Sequence, residues 1–186
     1  MLRYLYLLPL LLTACSDQPP TTPETRAVEH PNAGNTAIYD VDADDPYEIG
    51  DGSFMDMKPG AELSRFASVL VPGRRSNGEG SFDVHYIRGR RQDTLGYVFS
   101  DDGQTIERII IDSPDAVTQD GIRVGNTFGE LRERMGKLEI YGSEVESRVY
   151  AKLDPFLYRL AANAAAGTVD EGSLDTATPI VEIIIE

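Results

Sequence analysis

Tryptophan is absent, cysteine occurs once and histidine twice in 186 residues, and each scarcity removes a class of chemistry. A single cysteine, Cys15, excludes an intrachain disulfide and a cysteine-rich metal site. His30 and His85 lie far apart in the chain, so they offer neither a metal-binding cluster nor a base for a serine or threonine nucleophile. Basic residues are also few: 17 Lys and Arg stand against 31 Asp and Glu, a net charge of −14. That sign argues against nucleic acid as a partner. Nor does any apolar run approach the roughly 20 residues that a membrane-spanning helix needs.

What is present begins with an address. Residues 1–14, MLRYLYLLPLLLTA, carry one positive charge at Arg3, an apolar run from Leu5 to Leu12, and small residues before Cys15. This is the layout of a secretory signal peptide. Leu12-Thr13-Ala14-Cys15 resembles a bacterial lipobox, which implies a lipidated Cys15 and a membrane partner through the anchor; several acyl chains hold where one binds only marginally. Ser16 follows the cysteine, and the lack of Asp there favours the periplasmic face of the outer membrane. Loss of the leader with Arg3 would leave 31 acids against 16 bases, a charge of −15.

Residues 15–49 are rich in Pro, Thr, Asn and Asp and show no sustained apolar period. Such a segment cannot repay its ordering entropy and reads as a disordered acidic tether. Asp40, Asp42 and Asp44 have the alternation of a calcium loop, but Asp45, Pro46 and Asp51 occupy positions where such a loop needs a glycine turn, a free backbone and a bidentate Glu. A solvated linker fits better, and neither a metal nor a cofactor is expected.

Residues 50–186 form the expected folded domain. In DGIRVGNTFGELRERMG, Ile122 and Val124 suit a short strand, Thr127 and Glu130 make a capping box, and Phe128, Leu131 and Met135 keep helical spacing up to Gly136. The glycines do not follow a phosphate-binding pattern and Glu130 puts a negative charge at the helix start, so the turn reads as structural rather than as an anion cradle. Earlier, Leu63, Phe66, Ala67 and Leu70 predict a second helix, ended by Pro72-Gly73. Alternating or β-branched stretches follow each helix: SFDVHYIRG, DTLGYVFS and QTIERIIID after the first, ESRVYAKL, FLYRLAA and TPIVEIIIE after the second. The Ala-rich 156–166 segment has helix propensity, but strand is preferred. The expectation is an α+β single domain of two similar strand-helix-three-strand units, 51–119 and 120–186, with two short helices packed on an antiparallel sheet.

The stretch SDDGQTIERIIIDSPDAVTQDGIRVGNTFGELRERMG resembles the central signature of the small bacterial RpoE-regulated lipoproteins, the YfeY-like envelope lipoproteins. The lipobox, the polar tether and the Ile-rich IVEIIIE agree, with the specific part between about Leu95 and Gly136. The resemblance implies fold and location. No biochemical activity is established for that family, so no functional residue carries over.

Charge is uneven: residues 63–99 hold six arginines and three acids, whereas 16–62 hold 11 acids and two bases. Arg74 and Arg75 are expected after a helix end and Arg88, Arg90 and Arg91 at a hairpin tip, where they could contact lipid phosphates, cell-wall carboxylates or an acidic protein. Asp83 and His85 would share a strand face as a surface pair. The function expected is that of a non-enzymatic binding or structural module of the cell envelope. The alternatives are an acidic inhibitor capping a basic hydrolase of lysozyme type and, behind it, a cell-wall hydrolase.

Overall fold

The computed structural model describes residues 26–28, 39–41, 47–50, 52–77, 80–144 and 147–186. The signal peptide, Cys15, His30, and Asp42, Asp44 and Asp45 of the calcium-like spacing lie outside these residues. In chain order the strands are β1 (Arg26–Val28), β2 (Tyr39–Val41), β3 (Tyr47–Gly50), β4 (Ser53–Phe54), β5 (Leu70–Asn77), β6 (Gly80–Arg88), β7 (Thr94–Phe99), β8 (Arg108–Ile111), β9 (Ala116–Thr118), β10 (Glu139–Gly142), β11 (Arg148–Leu153), β12 (Phe156–Asn163), β13 (Gly167–Thr168) and β14 (Ile180–Ile185). The one α-helix among the described residues, α1, spans Phe128–Met135. β1 and β2 pair with each other.

Nine strands form one antiparallel sheet in the order β13-β10-β11-β12-β14-β8-β7-β6-β5. Its centre is written in uninterrupted isoleucine runs. Ile109 and Ile111 of β8, and Ile183 and Ile185 of β14, enter the main core, while Ile110 and Ile184 between them are buried on the opposite face. A strand covered on both faces reads as a continuous apolar run instead of an alternation. Against the main-core face lie Tyr47 and Ile49 of β3, Phe54, Met57, Leu63, Ile122, and Phe128 and Leu131 of α1. The folded core thus includes Tyr47 and Ile49, held by parallel pairing of β3 with β9.

The expected two-unit α+β architecture is not what forms. The described residues are mostly β, with a single α-helix and one nine-stranded sheet shared by both halves. The predicted first helix shrinks to a four-residue 3-10 turn, Leu63–Phe66, and from Leu70 the chain runs straight through Pro72-Gly73 as β5. Leu63, Phe66 and Leu70 do share a buried side, but one tight turn followed by a strand satisfies that spacing as well as a helix does. Proline is tolerated because β5 is the sheet edge, where a missing N–H facing solvent costs no ladder bond. The strand expected at Ile122 and Val124 is a turn with only an isolated bridge from Val117 to Arg123. By contrast α1 has its capping box, with Thr127 Oγ1 accepting from the Glu130 amide at 3.2 Å and Glu130 Oε2 accepting from the Thr127 amide at 2.6 Å. Residues 156–163 are strand β12.

Candidate functional site

The second face of the large sheet carries its own small cluster: Ile110, Leu157 and Ile184, flanked by Tyr97, Phe99, Tyr141 and Tyr150. All seven come from the sheet itself, so no second layer contributes to this cluster among the described residues. Ladder register sets the arrangement. Tyr97 pairs with Ile110 and Ile110 with Ile184, while Phe99 pairs with Arg108, Glu182 with Arg159, and Arg159 with Tyr150.

The β5–β6 hairpin does not continue this surface but folds over it. Arg75 pairs with Phe82 on β6. Extending the β6–β7 register beyond Tyr86–Tyr97 would align Phe82 with position 101. The Asp112 amide, however, donates to the carbonyl of Leu95 at 3.2 Å, six residues away along β7, or about 20 Å in a flat sheet. Arg75 nevertheless donates to Asp112 Oδ2 at 3.0 Å and lies 4.2 Å from the centre of the Tyr97 ring. The hairpin tip therefore bends back across the sheet face. Gly73 permits the bend: the Tyr86 ring rests where a Cβ would stand, and its hydroxyl donates to the Arg74 carbonyl at 2.9 Å. Phe82 meets Phe99 edge-on, with ring centres 6.4 Å apart.

Between hairpin and sheet is a cleft of about 380 Å³. Arg75, Arg108, Arg148 and Arg159 line it, with Glu182 as the one carboxylate, Ile110 and Ile184 as the aliphatic part, and the rings of Phe82, Tyr97, Phe99 and Tyr150 around them. Glu182 is buried and bound to Arg159 at 2.7 Å. Burial, then the Glu182 carboxylate, and less strongly Asp112, push the Tyr97 phenol up to about 12, against the pull of Arg75 and Arg148. Tyr97 thus stays a neutral donor and acceptor at physiological pH. The guanidinium of Arg108 sits 5.1 Å from the Phe99 ring centre. A guanidinium lying over an aromatic ring keeps its N–H edge available for an anion while its face is held.

The arginines singled out in the sequence do not converge. Only Arg75 lines the cleft. Arg74, on the other face of β5, donates to Asp83 at 3.1 Å, so Asp83 is paired with arginine, not with His85. Arg88 donates to Thr94 Oγ1 at 2.7 Å and Arg91 lies 3.6 Å from Asp115. The Arg90 amide donates to the Tyr47 hydroxyl at 2.6 Å, pinning the β6–β7 loop to β3. Of the other cleft arginines, Arg108 lies among acids, whereas Arg148 and Arg159 lie in a stretch, residues 147–169, with three bases and one acid, which a charge count over the whole second half hides. Their alternation with inward-facing Ile109, Val149 and Tyr158 is the one sequence signal that places them on a common face.

No family model matches the chain, and no curated protein matches it either. Among solved structures it is similar to the crystal structure of the uncharacterized protein YfeY from Escherichia coli, at 14% identity and a TM-score of 0.52, over 75% of this chain and 99% of that one. At this identity the likeness speaks for architecture alone: the chain has a YfeY-like fold.

Proposed function

We propose that this protein is a bacterial envelope lipoprotein of the RpoE-regulated type, anchored through Cys15, whose domain is a non-enzymatic binding module facing the periplasm. Its binding site is the cleft between the β5–β6 hairpin and the sheet, and its ligand is an anionic component of the envelope. The observation that carries this reading is the concentration of four arginines and one carboxylate around a single cleft in a chain whose net charge is −14. Such a local reversal of sign attracts anions against the field of the whole molecule. Arg75 and Arg108 do have carboxylate neighbours, Asp112 and Glu107, but these pairs are partly exposed, the second at 3.5 Å. Pairs of that kind are weak enough for a ligand to replace them.

The test has two parts. Millimolar citrate or phosphate should raise the melting temperature of the wild type but not of Arg108→Gln, and absence of any shift in the wild type would remove the cleft from consideration. A fatty-acid probe should label the wild type in cells and spare Cys15→Ser; equal labelling would remove the anchor.

A further inference from the structure

We propose that the cleft takes a small phosphate ester bearing an apolar substituent, with the phosphate held by the arginines and the substituent lying against Ile110 and Ile184. This rests on the reading of the cleft as an anion site and narrows it to one class of anion. The number and spread of donors decide between the candidates. A carboxylate brings one negative charge and is satisfied by a single bidentate arginine. The cleft wall holds four guanidiniums, with Arg75 beside Asp112, Arg108 beside Glu107 and Arg159 beside Glu182. A phosphate monoester carries about −1.5 to −2 and three strong acceptor oxygens, which matches several donors converging from different strands.

The donors also come from both walls. Arg75 descends from the hairpin, whereas Arg108 and Arg159 rise from the sheet. Each is already oriented by a neighbour: Tyr97 under Arg75, Phe99 under Arg108, and Glu182 beside Arg159. Such preorganisation leaves little side-chain entropy to be lost on binding. The Tyr97 and Phe99 faces hold arginines, so the apolar part of the ligand meets the aliphatic Ile110 and Ile184, with Phe82 also on the wall. The volume, about 380 Å³, is at the small end of the range of roughly 300–1,000 Å³ for small-molecule sites. It admits a head group with a short substituent and no folded partner.

The experiment is titration calorimetry of the full chain with four probes: inorganic phosphate, hexyl phosphate, hexanoate and dihexanoyl phosphatidic acid, a lipid that is also a phosphate monoester. Hexyl phosphate should bind at least tenfold tighter than hexanoate and than inorganic phosphate. Arg108→Gln, at a partly exposed position, should weaken it at least tenfold, while Arg74→Gln on the opposite face should leave it unchanged. Comparable or tighter binding of the phosphatidic acid than of hexyl phosphate would assign the ester to a lipid head group, and weaker binding to a soluble ester. Equal binding of hexanoate and hexyl phosphate, both lost in Arg108→Gln, would overturn the phosphate class and leave the anion cleft standing. If none of the four binds, or if Arg108→Gln changes nothing, both fall.

Discussion

Arg75 and Asp112, 37 positions apart in sequence, meet at 3.0 Å although two strands of the same sheet, β6 and β7, separate β5 from β8, the strand that Asp112 follows. That one ion pair records how far the β5–β6 hairpin folds back, because without the fold neither side chain has the reach to meet the other. It also holds Arg75 on the cleft wall, with the guanidinium resting on Tyr97.

Arg75→Ala should therefore loosen the hairpin without unfolding the domain. The pair is about one-third exposed on each side, so its loss together with the ring contact should cost only about 1 kcal/mol. Amide hydrogen exchange will speed up in residues 74–76 and 80–83 and stay unchanged in α1. Unchanged protection of the hairpin would show that Phe82 against Phe99 suffices to hold it.

Arg159 and Glu182 behave differently because the carboxylate is buried, with its side chain 7% exposed. Arg159→Ala leaves that charge unpartnered and should cost about 3 kcal/mol or more. The double variant Arg159→Met with Glu182→Leu removes both charges and should recover most of the loss in urea unfolding, while abolishing anion binding.

The helix cap gives a prediction that depends on pH. Thr127→Ala should cost about 1 kcal/mol, whereas Thr127→Asp, which also caps, should cost little. Hydrogen bonds to the Glu130 carboxylate, first from the Thr127 amide, hold its pKa below the ordinary value of 4.5. A depressed pKa stabilises the fold above the unfolded value, and the contribution is lost as pH falls below it. The wild type should thus exceed Glu130→Gln in stability at pH 7, and the difference should shrink as pH falls below 4.5 and vanish once the folded-state carboxyl is protonated. A difference that grows on acidification would contradict the observed box.

Gly96 marks the tightest approach in the sheet. A Cβ there would collide with the carbonyl oxygen of Ile110 and stand 2.9 Å from the Cα of Ile111. Gly96→Ala should break the β7–β8 pairing and cost more than about 4 kcal/mol, read as loss of cooperative melting.

Much of this fold is legible in the sequence because local rules dominate there. Thr127 and Glu130 announce α1 through cap chemistry that needs no tertiary partner, and the Ile-rich runs announce β8 and β14. Leu63, Phe66, Ala67 and Leu70 mislead because four apolar residues at helical spacing do not record how far the helix continues. What stops it is the edge of a sheet assembled from strands far along the chain. The expected equivalence of the two halves fails for the same reason, since only the second half keeps a true helix. The cleft is less legible still. Arg75, Arg108, Arg148 and Arg159 span 84 positions, and only strand register and the bend at Gly73 bring them together.

The place of β14 has a consequence for when the protein can become itself. β5 to β8 form one continuous meander and β10 to β12 another, and β14 alone joins them, pairing with β12 on one side and β8 on the other. Until residues 180–185 are available, the two meanders share no ladder, and the Arg159–Glu182 side of the cleft does not exist. The chain is therefore built as two open-edged halves awaiting a keystone. Contacts of such long sequence separation form slowly, and the two halves gain a common ladder only when residues 180–185 pair on both sides.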